Sequence, residues 1–249
     1  MFPIRDHNPS DGTPFVTYAL IALNVLVFLS YAGSFTDEAR LVAFFDQWAL
    51  IPARLTNGEG YATLVTSMFL HAGLLHLGGN MLFLWIFGDN LEDAFGHLGF
   101  LAFYLACGAL AGLAQVWSAP GSTTPMVGAS GAIAGVMGAY LLLFPKARVD
   151  VMIILVIIIR TIAMPAWIML GVWFAIQLAG SYTSFGLEGG GVAHLAHSGG
   201  FAAGLLLALP YWLRKGGPAF WRRNRGAPPH PAMSRPGRIT DIPTVRRRR

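Results

Sequence analysis

Six stretches of the chain are apolar over close to the ~20 residues that a helix needs to cross a bilayer. They are residues 15–32, 68–87, 99–118, 126–144, 164–180 and 192–213. A further apolar run, 149–159, is rich in Ile and Val, but it is short, and Arg160 and Pro165 interrupt its continuation. We read it as an interfacial or buried connector, not a seventh span. The long segment 33–67 carries Leu41, Val42, Phe44, Phe45, Trp48 and Leu50. That pattern suits a helical insert lying on or dipping into the outer leaflet. The expected fold is an all-α membrane protein with a six-transmembrane-helix bundle and a membrane-associated first loop. Its parts are an N-terminal segment 1–14, the six-span domain 15–213 and a tail 214–249.

Composition supports this reading. The 249 residues are 55% hydrophobic and 12% charged, where a soluble domain is nearer ~25% charged. The one cysteine, Cys107, lies in an apolar stretch, so neither a disulfide framework nor a thiolate metal site is expected. The first apolar run follows a polar segment and is long enough to stay as an anchor, so no cleavable signal is read there.

Charge placement sets the orientation. Eleven of the 17 Lys and Arg lie from Arg214 onward, in a Pro-, Gly- and Arg-rich tail ending in four arginines. We read that tail as a disordered extension, with anionic lipid as its minor alternative partner. It shares a side with Lys146 and Arg148, whereas the other side carries Arg40 and Arg54. Positive residues concentrate in the cytoplasm, so both termini are expected there, with no nucleic-acid partner.

Under this topology the second, fourth and sixth spans enter from the outer face. Each places polar residues a similar distance in: His76 with Asn80, Ser130, and His197. Ser130 sits in Gly128-Ala129-Ser130-Gly131, which alone reads more readily as helix packing than as chemistry. His197 shares a helical face with Gly200 and Gly204, at i+3 and i+7, and that face can bring it against the glycine-rich fourth span. Ser130 would then be a nucleophile with His197 as general base. His76 and Asn80, at i and i+4, can both donate hydrogen bonds to an oxyanion. On a helix His71 points about 140° from His76 and takes a structural role; His194 is placed near the water interface.

Asp89, Glu92 and Asp93 fall at the cytoplasmic end of the second span, so no acid completes a triad and a Ser–His dyad is expected. A zincin helix needs His-Glu-x-x-His, which neither histidine pair supplies; no metal is expected.

These residues resemble those of the rhomboid intramembrane serine proteases. The likeness runs over residues 15–213. It rests on His71-x4-His76-x3-Asn80, Gly88-Asp89-Asn90-Leu91-Glu92, Gly128-Ala129-Ser130-Gly131, and Ala196-His197-Ser198-Gly199-Gly200-Phe201 with Gly204. The resemblance implies Ser130 as nucleophile and His197 as base. It implies an oxyanion site of His76, Asn80 and the Ser130 N–H. It also implies cleavage in or beside transmembrane segments of other membrane proteins, without metal or organic cofactor. The expected setting is a bacterial plasma membrane, with the lipid bilayer and transmembrane substrates as partners and the chain a monomer. The alternative is a catalytically silent rhomboid-like protein that binds transmembrane helices. Two positions depart from the pattern. Ala134 stands where some relatives stack a tyrosine on the histidine, and Arg54 follows Ala53, not the tryptophan of a Trp-Arg pair.

Overall fold

The computed structural model describes residues 2–8, 10–155, 158–184 and 193–228. Helices occupy all six expected stretches: α1 (Phe15–Tyr31), α5 (Leu74–Phe95), α6 (His97–Ser118), α7 (Ser130–Leu143), α8 (Ala166–Ser184) and α9 (His194–Arg214). The first loop supplies α2 (Glu38–Trp48), α3 (Pro52–Thr56) and α4 (Thr63–Thr66), the helical insert that its apolar residues predict. Among the described residues three helices, in the first, third and fifth stretches, are long and apolar enough to cross a membrane. A fourth crosses if residues Thr63–Phe69 and Leu74–Phe95, bent by 98° at a short break, count as one broken span. The helix α7 has only 14 residues.

Two helices start later than the hydropathy suggests. In the second stretch a 3-10 turn, Ser67–Phe69, is followed by a non-helical break, and α5 begins only at Leu74. His71 lies in that break. The Tyr31 hydroxyl accepts from its backbone N–H at 2.6 Å and donates to its carbonyl at 2.8 Å. In the fourth stretch Met126 is extended and exchanges two backbone hydrogen bonds with Leu50, at 2.8 and 3.1 Å. Apolarity alone does not distinguish such an extended approach from the helix that follows it.

The molecule is mostly helical but not all-α. The strands β1 (Phe2–Asp6), β2 (Arg148–Leu155) and β3 (Ile158–Pro165) form an antiparallel sheet in the order β1-β2-β3. The expected connector is therefore a hairpin, with Val156 and Ile157 outside the described residues. Its Ile and Val content favours an extended backbone, and Val149 and Val151 are fully buried against the helices. Asp150 ties the edge strand in, accepting from His7 Nε2 at 2.6 Å and Arg5 Nε at 2.8 Å. Those two bonds hold its carboxyl below the ordinary carboxylate range. Asn8 Nδ2 donates to the Tyr140 hydroxyl at 2.8 Å, which donates to Asp6 at 3.1 Å. The N-terminal segment is thereby fastened to the far end of α7.

The basic tail is not disordered from its start. After α9 the chain forms α10 (Pro218–Asn224), where Trp221 packs at a tilt against Trp212 and donates to the Leu142 carbonyl at 2.8 Å. Residues 229–249, where disorder was also expected, lie outside the described residues.

The core centres on α7, almost wholly buried between α5, α6, α8 and α9. Its closest neighbour is α9. A Cβ at Gly200 would lie against the backbone of Gly131, and one at Gly204 against that of Gly135. The two helix backbones therefore touch without side chains between them, as small-residue faces allow. At the opposite end Glu92, fully buried, accepts from Val16 N, Thr17 N and Thr17 Oγ1, each at 2.8 Å, and from His97 Nδ1 at 2.5 Å. It satisfies the first N–H groups of α1, where a negative charge is favoured.

Candidate active site

Ser130 is the first residue of α7, His76 the third of α5 and His197 the fourth of α9. Three first helical turns thus meet at one level. The backbone contact of α7 with α9 sets the separation of the first pair: Ser130 Oγ and His197 Nε2 are 2.7 Å apart. The structure brings these two together, as the glycine faces predict.

Ser130 enters α7 through Gly128, whose φ of +130° is rarely adopted by residues with a Cβ. A Cβ there would also fall 2.9 Å from His76 Nε2 and 3.5 Å from Ser130 Oγ. The imidazole of His76 and the serine hydroxyl therefore flank the same glycine. The Ala72 N–H donates to His76 Nδ1 at 3.2 Å, which leaves the proton on Nε2, the ring nitrogen beside Gly128. Asn80 donates one amide hydrogen to the His76 carbonyl at 2.9 Å and keeps a second. The first N–H groups of α7 have no intrahelical acceptor. His76, Asn80, Ser130 and His197 line one cavity of about 670 Å³.

Two histidines lie otherwise than the sequence suggests. His71 precedes α5, so the 140° separation does not apply, and its ring meets that of His76 edge-on at 5.1 Å. Its backbone bonds to Tyr31 agree with a structural role. His194 does not stand apart from the dyad: its Nδ1 reaches Gln177 Oε1 at 2.9 Å, and His197 Nδ1 reaches the same oxygen at 2.9 Å.

Sequence reasoning missed Gln177 and Trp173, both on α8. Trp173 lies against the His197 ring, with centroids 5.9 Å apart. The available signal was Gln177 itself, the only strongly polar side chain in the stretch 164–180. A polar group inside a span is a functional hypothesis by default. Among the described residues the partner of His197 Nδ1 is an amide oxygen, not a carboxylate. Among the same residues no group of three or more His, Cys, Asp or Glu is placed to hold a metal ion.

A serine hydroxyl bonded to an imidazole, the other ring nitrogen of that imidazole bonded to an acceptor, and N–H donors nearby are groups that can carry out covalent hydrolysis. The family model described as Rhomboid domain matches residues 58–214. The chain is 33% identical over 221 residues to Rhomboid protease GluP of Bacillus subtilis, covering 86% of this chain and 38% of that protein. It is 28% identical over 197 residues to Rhomboid protein 1, mitochondrial, of Saccharomyces cerevisiae, covering 77% and 51%. It is 31% identical over 147 residues to the human Presenilin-associated rhomboid-like protein, mitochondrial, covering 58% and 37%. The chain thus spans between about a third and a half of the length of these relatives.

Proposed function

The chain belongs to the rhomboid family, and on that premise we propose that it is an intramembrane serine endopeptidase working through a Ser130–His197 dyad. The carrying observation is the 2.7 Å bond between Ser130 Oγ and His197 Nε2. That distance is within reach for direct proton transfer.

In the proposed reaction, Oγ attacks the carbonyl carbon of a peptide bond as its proton passes to His197 Nε2. The carbonyl oxygen becomes an oxyanion, which takes hydrogen bonds from His76, Asn80 and the Ser130 N–H. The intermediate collapses, the C–N bond breaks, and His197 returns its proton to the leaving amine. Water, deprotonated by the same imidazole, then attacks the acyl ester and releases the new carboxylate and the serine. Losing one oxyanion donor costs about 3–4 kcal/mol of transition-state stabilisation, so His76→Ala and Asn80→Ala are expected to lower kcat with little change in KM.

The substrates in this reading are transmembrane proteins, cut in or beside a membrane segment. Its location is the inner membrane of a bacterium, with both termini cytoplasmic. The relatives include mitochondrial proteins as well as a bacterial one, so reporter fusions at each terminus are the direct test. For the activity, the test is cleavage of a reporter transmembrane protein by purified enzyme, together with fluorophosphonate labelling. Ser130→Ala and His197→Ala should each abolish cleavage while the protein stays folded, and labelling should map to Ser130. A folded wild type that neither cleaves nor labels would favour the helix-binding, catalytically silent reading.

A further inference from the structure

We propose that Gln177 is a positioning residue for the dyad: its side-chain oxygen holds His197 in the one tautomer that can serve Ser130 as a base. The inference rests on the hydrolytic reading of that pair. A neutral imidazole carries its proton on one nitrogen and accepts at the other. An amide oxygen only accepts, so the 2.9 Å bond from His197 Nδ1 to Gln177 Oε1 requires the proton on Nδ1. Nε2 is then bare at 2.7 Å from the Ser130 hydroxyl.

The reverse amide orientation would point N–H groups at Nδ1. It would force the proton onto Nε2 and remove the base. It would also oppose the imidazolium of the reaction, whose Nδ1 must donate. An oxygen there serves both protonation states. Its second lone pair takes the proton on His194 Nδ1, also 2.9 Å away, so one acceptor is used by two donors.

The acceptor is held in place. Gln177 is 7% exposed, so water is a poor substitute for its oxygen. One turn on, Ser181 Oγ lies 2.8 Å from both the Gln177 carbonyl and Ser198 Oγ, and Ser198 Oγ lies 3.0 Å from the His194 carbonyl, so the two hydroxyl protons serve two of these three contacts at a time. This ladder joins α8 to α9 beside the histidine. Trp173, one turn before Gln177, lies against the imidazole ring itself. The face of α8 thus supplies both an orienting acceptor and a ring contact, where the sequence offers neither an acid nor a tyrosine.

The test compares the full chain, in detergent, as wild type, Gln177→Met and Gln177→Glu. Methionine keeps the length and removes the acceptor; glutamate keeps an acceptor oxygen. Cleavage of a reporter substrate gives kcat and KM. Nitrogen-15 histidine spectra, with the His197 signal assigned by its loss in His197→Gln, report the tautomer. Gln177→Met should lower kcat about 10–100-fold with KM unchanged, as expected for loss of one strong hydrogen bond. Its His197 signal should shift from protonated Nδ1 toward a mixture. Gln177→Glu should recover most of the rate. Equal rates for Gln177→Met and wild type, or equal losses in both variants with an unchanged His197 signal, would overturn the proposal. If the wild type neither cleaves nor labels, the hydrolytic reading fails instead, and the tautomer comparison still decides whether Gln177 holds His197.

Discussion

The backbone contact between α7 and α9 makes a demanding prediction at Gly204, two turns from the dyad. A Cβ there would stand 2.5 Å from the carbonyl carbon and 2.6 Å from the Cα of Gly135, and closer still to its oxygen. These are backbone atoms inside a helix, so no rotamer change relieves the overlap. Ordinary contact begins near 3.4 Å. In Gly204→Ala, α9 must therefore retreat by about 1–1.5 Å, at a cost of about 1–3 kcal/mol for overpacking. The same displacement carries His197 away from Ser130. A bond of 2.7 Å stretched by about 1 Å is no longer a hydrogen bond, and misplacement on that scale costs about 10²-fold in rate. The assay pairs fluorophosphonate labelling of Ser130 with the melting temperature in detergent. Both should fall in Gly204→Ala. In Gly171→Ala neither should fall, because nothing lies within 4 Å of a Cβ at that position, and alanine is favoured over glycine within a helix by about 0.5–1 kcal/mol. Wild-type labelling and melting in Gly204→Ala would refute the idea that backbone contact sets the dyad distance.

Other consequences can be read from the same structure. Tyr31→Phe strands the backbone N–H and C=O of His71 and should cost about 1–3 kcal/mol; denaturant unfolding checks the size, and a lowered kcat would register the loosened start of α5. Glu92→Gln removes the charge beneath the first turn of α1 and should destabilise by about 1.5–3 kcal/mol, the range for hydrogen bonds to a charged group, measured as a fall in melting temperature with the dyad still labelled. The Asp150 carboxyl, held low in the folded chain by His7 and Arg5, contributes stability that is complete above the unfolded value of about 4 and is lost as pH falls through the folded value. Melting temperatures followed from neutral pH down to about pH 2.5 should drop in wild type and drop less in Asp150→Asn.

Much of the site was legible because its chemistry is local to short patterns. Ser130, His197, His76 and Asn80 stand out as polar residues in apolar stretches. Gly200 and Gly204, on the His197 face, forecast the helix that His197 approaches, and their contacts with Gly131 and Gly135 bear this out. What stayed hidden depends on partners far away in sequence. The hairpin 148–165 needs β1 as its edge, about 145 residues earlier, in a segment with no apolar pattern to announce it. Where α5 and α7 begin is set by Tyr31 and by Leu50, neither of which a hydropathy window sees. The direction of His71 was wrong for the same reason: a helical wheel presumes a helix. Gln177 was overlooked because an uncharged amide is a weaker signal than an imidazole, and its value appears only with two histidines from α9 on its oxygen.

The brevity of α7 takes on a purpose under the proteolytic reading. Its 14 residues rise about 21 Å, against a hydrocarbon core of about 30 Å. Its far end is anchored: the Tyr140 hydroxyl is bonded to Asn8 and Asp6, and the Leu142 carbonyl accepts from Trp221. With that end near one interface, the first turn stops about 9 Å short of the other. The unpaired N–H groups of that turn would be costly in lipid, yet they open onto the cavity that holds Ser130, His76 and His197. A full-length span would carry those donors to the surface, beyond a peptide bond still inside the membrane. In that reading a short helix, approached by the extended residue Met126 and turned by Gly128, keeps the proposed nucleophile and oxyanion donors at the depth of such a bond.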